Sequence, residues 1–216
     1  LEAVTVPSNL EAGLKEWSPQ NISIKTNPEA IIWAVDGVDD NSVAFAARLM
    51  EKGVEVRIID KEALLSKQTL SRGSIAVLAM DNPEYEDLSE TVNSIASDLD
   101  ISVLSIESGF GAEELPDWGG RHFRLLERPQ IAILSQSGFS SYDVGVSWWS
   151  LDHHLGIRHS QIDASLVNYA DLRRYNTIIL PSGYRDMGEY EKKVLSDWME
   201  QGLSLIHISE PTRPSQ

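Results

Sequence analysis

Six short runs rich in apolar residues, at 30–36, 54–60, 74–80, 101–106, 131–134 and 177–180, constrain this chain more than any other feature. Each has the length of a strand and is too short for a helix that buries a face. The first, Ala-Ile-Ile-Trp-Ala-Val-Asp, is almost continuous, as in a strand covered on both sides. Helical spacing fills the gaps between runs. After 30–36, Asp39, Asp40, Asn41 and Ser42 offer N-caps; Val43, Ala46, Ala47 and Met50 then share a face, and Gly53 stops the helix. Leu88, Val92, Ile95 and Leu99 mark a second helix over 84–99, and residues 142–155, closed by Gly156, a third. A fourth runs over 189–201 with Val194, Leu195 and Trp198 inward. Strands alternating with helices predict the α/β class, with parallel strands joined by right-handed crossovers.

The runs fall into two groups. Residues 1–29 hold Pro7, Pro19 and Pro28 and read as an irregular lead-in. Residues 30–108 form a first α/β subdomain of about four strands and two helices. Gly109, Gly111, Pro116, Gly119, Gly120 and Pro129 break the pattern, so 109–129 reads as a linker. A second unit occupies 130–202. Both are expected to be small three-layer parallel-sheet subdomains.

Composition excludes several classes of function. The chain has no cysteine, which removes a disulfide scaffold, a thiol nucleophile and a thiolate zinc site. Its 33 acidic against 18 basic residues give a net charge of −15, which argues against a reader of nucleic-acid backbones. No apolar run approaches the roughly 20 residues of a membrane-spanning helix, so no membrane span is expected.

Candidate chemistry is sparse. The loop 136–141, Gln-Ser-Gly-Phe-Ser-Ser, follows a strand and opens a helix, with Ser140 and Asp143 as a capping pair. Its N–H groups and hydroxyls suit either an anion or a plain helix cap. Pro181, Ser182, Gly183 and Tyr184 follow another strand of the same sheet. Open α/β sheets hold ligands beyond the C-terminal ends of their strands, so both loops are expected to meet at one crevice. A ligand there would touch Ser137, Ser140, Ser182 or Gly183. No catalytic residue is assigned. His153 and His154 are adjacent, point about 100° apart on a helix, and lack the i, i+4 spacing of paired metal ligands; one is expected partly buried and the other solvated. Trp148 and Trp149 suit stacking on a sugar or base, or, more commonly, one core and one interface position. Asp39, Asp40 and the acidic run 84–87 read as helix starts favoured by the helix dipole.

Two resemblances follow from longer stretches. Residues 203–213, Leu-Ser-Leu-Ile-His-Ile-Ser-Glu-Pro-Thr-Arg, resemble the in-frame translation of a transposase sequencing adapter. Residues 203–216 are therefore expected to be an adapter-derived tail on a gene fragment cut at both ends, packing poorly or mimicking in part a replaced strand. Second, Arg121 through Leu134, and Gly138, Ser140, Ser141, Tyr142, Gly145, Trp148, Leu151, Asp152 and Gly156, resemble a family. So do Asp171, Leu172, 175–183 and Trp198, and upstream 45–49, 53–56 and 72–74. The family is the C-terminal region of bacterial zinc carboxypeptidase-like proteins of the carboxypeptidase A superfamily. There a peptidase domain precedes an α/β region and a class I glutamine amidotransferase-like domain. The pattern is similar to G-x-S-S-Y-x-x-G-x-x-W-x-x-L-D-x-x-x-G. The chain departs from it at Asp117-Trp118-Gly119-Gly120, where Asp-Leu-Gly-Ser is common, and at Val146 and Trp149, where Glu and His are common.

The resemblance implies that 130–202 is a truncated flavodoxin-like, amidotransferase-like unit. It implies a non-catalytic accessory role beside a preceding peptidase domain as partner, in an extracytoplasmic (periplasmic or secreted) parent. In that parent, zinc held by two histidines and a glutamate activates water to cut a C-terminal peptide bond. None of those ligands can be placed here, so no cofactor is expected in this chain and zinc is implied for the parent alone. The alternative is a free-standing amidotransferase-like enzyme or small-molecule-binding α/β protein.

Overall fold

The computed structural model describes residues 27, 29–112, 115–136, 138–183 and 187–207. The chain is of the α/β class, with helices layered on two sheets. The first unit comprises β1 (Ile32–Val35), α1 (Ser42–Glu51), β2 (Arg57–Ile59), β3 (Ala63–Leu65), β4 (Gln68–Leu70), β5 (Ile75–Leu78), α2 (Leu88–Asp98), β6 (Leu104–Ile106) and β7 (Phe123–Leu125). Five strands make one sheet in the order β6-β1-β5-β2-β7, and β3 pairs with β4 as a hairpin.

Every pairing in this first sheet is antiparallel, which corrects the expected parallel sheet. The crossover through α1 does join two strands that run the same way. They are not neighbours, because β5 lies between β1 and β2 and opposes both. Likewise α2 carries the chain from β5 to β6 across β1. Two split β-α-β units interleave, in the strand order of ferredoxin-like domains. Local apolar patterning reports a crossover but not whether it skips a strand.

Both faces of the sheet are covered. Trp33 and Val35 of β1 pack with Phe45 and Leu49 of α1 and with Val92 and Ile95 of α2. Ile32 and Ala34, pointing the other way, meet Leu65 and Leu70 of the hairpin, Trp118 and Phe123. Burying one such Leu, Ile or Phe contributes about 1.5–3 kcal/mol, so this alternation fixes the register of β1. The stretch 109–129, read as a linker, supplies the edge strand β7 and buries Trp118, whose ring centroid lies 5.0 Å from that of Phe123. Arg57 of β2 stands over Trp118, donates two hydrogen bonds to the Asp81 carboxylate (2.7 and 3.2 Å) and a third to the Phe123 carbonyl (2.9 Å).

The second unit comprises β8 (Ile131–Ser135), α3 (Ser141–Trp149), β9 (His159–Asp163), β10 (Thr177–Leu180), α4 (Glu189–Met199) and β11 (Ser204–His207). Its order is β11-β10-β8-β9 with every pairing parallel, as expected. Helix α3 runs on as a π-helix over Ser150–Leu155 until Gly156 ends it at φ +69°. Leu151 and Val144 cover one face of the sheet. Leu195 and Trp198 of α4, with Ala164, Val167 and Leu172 from the β9–β10 connection, cover the other. Strand β11 lies within the adapter-like stretch. It takes an edge place beside β10, with Leu205 partly packed and the other side chains exposed. Residues 208–216 lie outside the described residues, as does the lead-in apart from residues 27 and 29.

Helix α1 joins the two units. Phe45 and Leu49 belong to the first core, while Ala47 enters the second beside Ile133 and Leu151. At its end Arg48 donates to the His154 carbonyl, and Glu51 receives Arg128 and Arg158.

Candidate functional site

Strand order places the site. Strand β8 has β9 on one side and β10 on the other, so the crossover from β8 to β9 goes one way and the next, from β9 to β10, returns past β8 the other way. The C-terminal ends of β8 and β10 then flank the point where a doubly wound sheet opens. The loops leaving these two ends are those singled out in the sequence.

They meet. Gln136 turns the chain sharply at φ +58°. Phe139 and Gly183 then form an isolated antiparallel bridge, and the Ser140 N–H donates to the Ser182 carbonyl at 2.7 Å. The approach requires glycine at 183, because a Cβ there would lie 2.6 Å from the Gly138 carbonyl oxygen and 2.8 Å from the Phe139 Cα. Ser140, Ser182 and Gly183 are thus brought together. Ser137 lies outside the described residues, as does Tyr184.

Their polar groups are directed at one another. The Ser140 Oγ caps α3 by accepting from the Asp143 N–H at 3.3 Å. The capping pair is therefore half formed: the Asp143 carboxylate does not return to Ser140 but accepts the Ser182 hydroxyl. Asp143 also offers its carbonyl to the Ser147 hydroxyl at 2.7 Å. The reach of Asp143 across to the second loop was not legible in the sequence, since the Ser140–Asp143 spacing already explained both residues locally. A serine paired with a carboxylate lacks the imidazole that takes and returns a proton in acyl transfer. Among the described residues, no histidine hydrogen-bonds to Ser140, Ser182 or Asp143. The arrangement can clasp two loops and cap a helix.

The other candidates lie elsewhere. His153 and His154 are both exposed, not divided between core and solvent, because the π-helical turn carries them along the outer side of the helix. The His153 ring rests against Trp149, with centroids 5.2 Å apart. Neither Trp148 nor Trp149 is a core residue: they are 42% and 53% exposed, and Ser147 and Leu151 take the inward positions instead. Among the described residues, no group of three or more His, Asp or Glu could hold a metal ion, and no helix is long and apolar enough to cross a membrane.

No family model, curated protein or solved structure matches the chain.

Proposed function

We propose that this chain is a non-catalytic accessory region that packs against a preceding zinc carboxypeptidase-like domain in a longer bacterial protein. The parentage rests on the resemblance over most of 30–202. The observation that carries the accessory role is the outer face of α3. Tyr142, Val146 and Trp149, at i, i+4 and i+7, are 78%, 50% and 53% exposed. Aromatic and apolar side chains massed on one helix face mark a contact surface. Val146 and Trp149 are also two positions where the resembled family commonly carries Glu and His, so the substitutions make this face more apolar.

The self-satisfied loops at the end of the parallel sheet support the same reading: Ser140 and Ser182 are engaged with Asp143 and with each other's backbone. A second reading, a small-molecule-binding α/β protein, draws on the position of those loops at the opening of the sheet.

Zinc content and hydrolysis of a blocked dipeptide, measured for this chain and for a longer product that carries a preceding zinc carboxypeptidase-like domain, separate the readings. The accessory role is supported when zinc and activity belong to the longer product and not to the 216-residue chain. One tightly held zinc per chain with hydrolysis by this chain overturns it.

A further inference from the structure

The opposite edge of the parallel sheet gathers three arginines of this strongly acidic protein. Arg128 precedes β8, Arg158 precedes β9 and Arg174 precedes β10, so the parallel topology sets all three guanidiniums at the N-terminal ends of adjacent strands. They line one cleft of about 410 Å³ together with Gln130, His159 and Tyr175, and among the described residues no acidic one lines it. That volume lies within the range of small-molecule sites.

Nearby carboxylates offset only part of this charge. Glu51 takes both Arg128 (2.9 Å) and Arg158 (3.2 Å), so one carboxylate serves two cations. Asp171 is engaged by Arg173, through two hydrogen bonds of 2.7 and 3.0 Å. Glu127 accepts from the Asn176 amide at 3.4 Å. Arg174 makes no ion pair among the described residues and lies over the Tyr175 ring, 5.9 Å from its centroid. His159 directs Nδ1 at the Ile157 carbonyl, 3.3 Å away, which leaves Nε2 as its other polar atom.

We propose that this cleft binds a small multivalent oxyanion, of the phosphate-ester or pyrophosphate class, held by Arg174 and Arg158 with Arg128 behind them. Guanidinium forks match such oxygens in pairs, and charge-assisted bonds of this kind are the strong ones. Glu51 then acts as an internal competitor, since an anion that draws on Arg158 and Arg128 draws them from that carboxylate. The binding site is independent of the accessory role.

The test is calorimetric titration of the 216-residue chain with inorganic pyrophosphate, with citrate and a short single-stranded oligonucleotide as comparators. Saturable binding of one pyrophosphate per chain, weakened by salt, is expected. Arg174→Ala is expected to weaken it about tenfold, the loss of one charge-assisted contact. Glu51→Gln is expected to tighten it, while Lys193→Ala, on α4 outside the cleft, leaves it unchanged. Citrate binding as tightly as pyrophosphate would widen the class to carboxylates and overturn the phosphate assignment. Tighter binding of the oligonucleotide would overturn a small ligand in favour of a nucleic acid. No saturable binding, or binding indifferent to Arg174→Ala, overturns the site itself.

Discussion

The Glu51 carboxylate accepts both the backbone N–H of Arg158 (3.3 Å) and its guanidinium (3.2 Å), across the join between the two sheets. Glu51 ends α1 in one unit, and Arg158 enters β9 in the other. Together with Ala47, this contact makes α1 part of both units. Glu51→Ala is expected to cost about 1 kcal/mol, because Arg158 is largely and Arg128 nearly half exposed, and such pairs are weak. Hydrogen exchange near residues 156–159 should rise while the core strand β1 keeps its protection. Equal loosening of both regions would show that Glu51 is not acting at the join.

Arg57 and Asp81 form the better-shielded pair. Their side chains are 26% and 16% exposed, and the hydrogen bond to Asp81 holds the Arg57 proton more firmly than usual. Arg57→Met is expected to cost about 2 kcal/mol, since it strands Asp81 and the Phe123 carbonyl. Arg57→Lys should recover little, because an ammonium cannot reproduce the two-pronged contact. Urea unfolding tests this: the midpoint falls and the slope is unchanged.

Two glycines give opposite expectations. Gly183→Ala forces a Cβ into the backbone of the facing loop and should destabilise the second unit by about 1–3 kcal/mol. Gly145→Ala lies inside α3 with nothing within 4 Å of the added Cβ, and should stabilise by about 0.5–1 kcal/mol. Thermal unfolding of the two variants checks the sign of each.

Acid sensitivity has a named contributor. The hydrogen bond from His122 lowers the Asp60 carboxyl below its ordinary value of 3.8, with Arg124 and Arg72 adding to it against a desolvation cost. A depressed folded value means the contribution is present above the unfolded value and is lost as pH falls through the folded one. Asp60→Asn should therefore lose less stability than the parent chain between about pH 5 and about pH 2. Unfolding midpoints at the two ends of that range measure it, and identical acid losses would remove Asp60 as the cause.

Much of the fold was legible where side-chain period alone decides it. The runs at 30–36, 74–80, 131–134 and 177–180 are strands buried among apolar residues, and the helices at α1 to α4 fall where spacing placed them. What escaped was set by partners distant in sequence. The direction of the first sheet depends on β5 lying between β1 and β2, which no local pattern records. The β3–β4 hairpin and β7 are three-residue strands, too short to show alternation. The meeting of the two loops was legible because it follows from strand order, whereas the contact from Ser182 to Asp143 depends on how closely Gly183 lets the loops approach. The cationic cleft went unseen because Arg128, Arg158 and Arg174 are scattered in sequence and gathered only by parallel pairing.

The face of α3 bears the central claim. Val146→Glu and Trp149→His introduce the polar residues common in the resembled family. Both sites are exposed, so the double variant should leave the stability of the 216-residue chain within about 0.5 kcal/mol. The decisive measurement is hydrogen exchange across residues 142–149, in this chain alone and in a longer product that carries a preceding zinc carboxypeptidase-like domain. The accessory role requires slower exchange there in the longer product, returning toward the rate of the isolated chain in the double variant. Exchange equally fast in both proteins would contradict a docked α3 and, with it, the proposed accessory role.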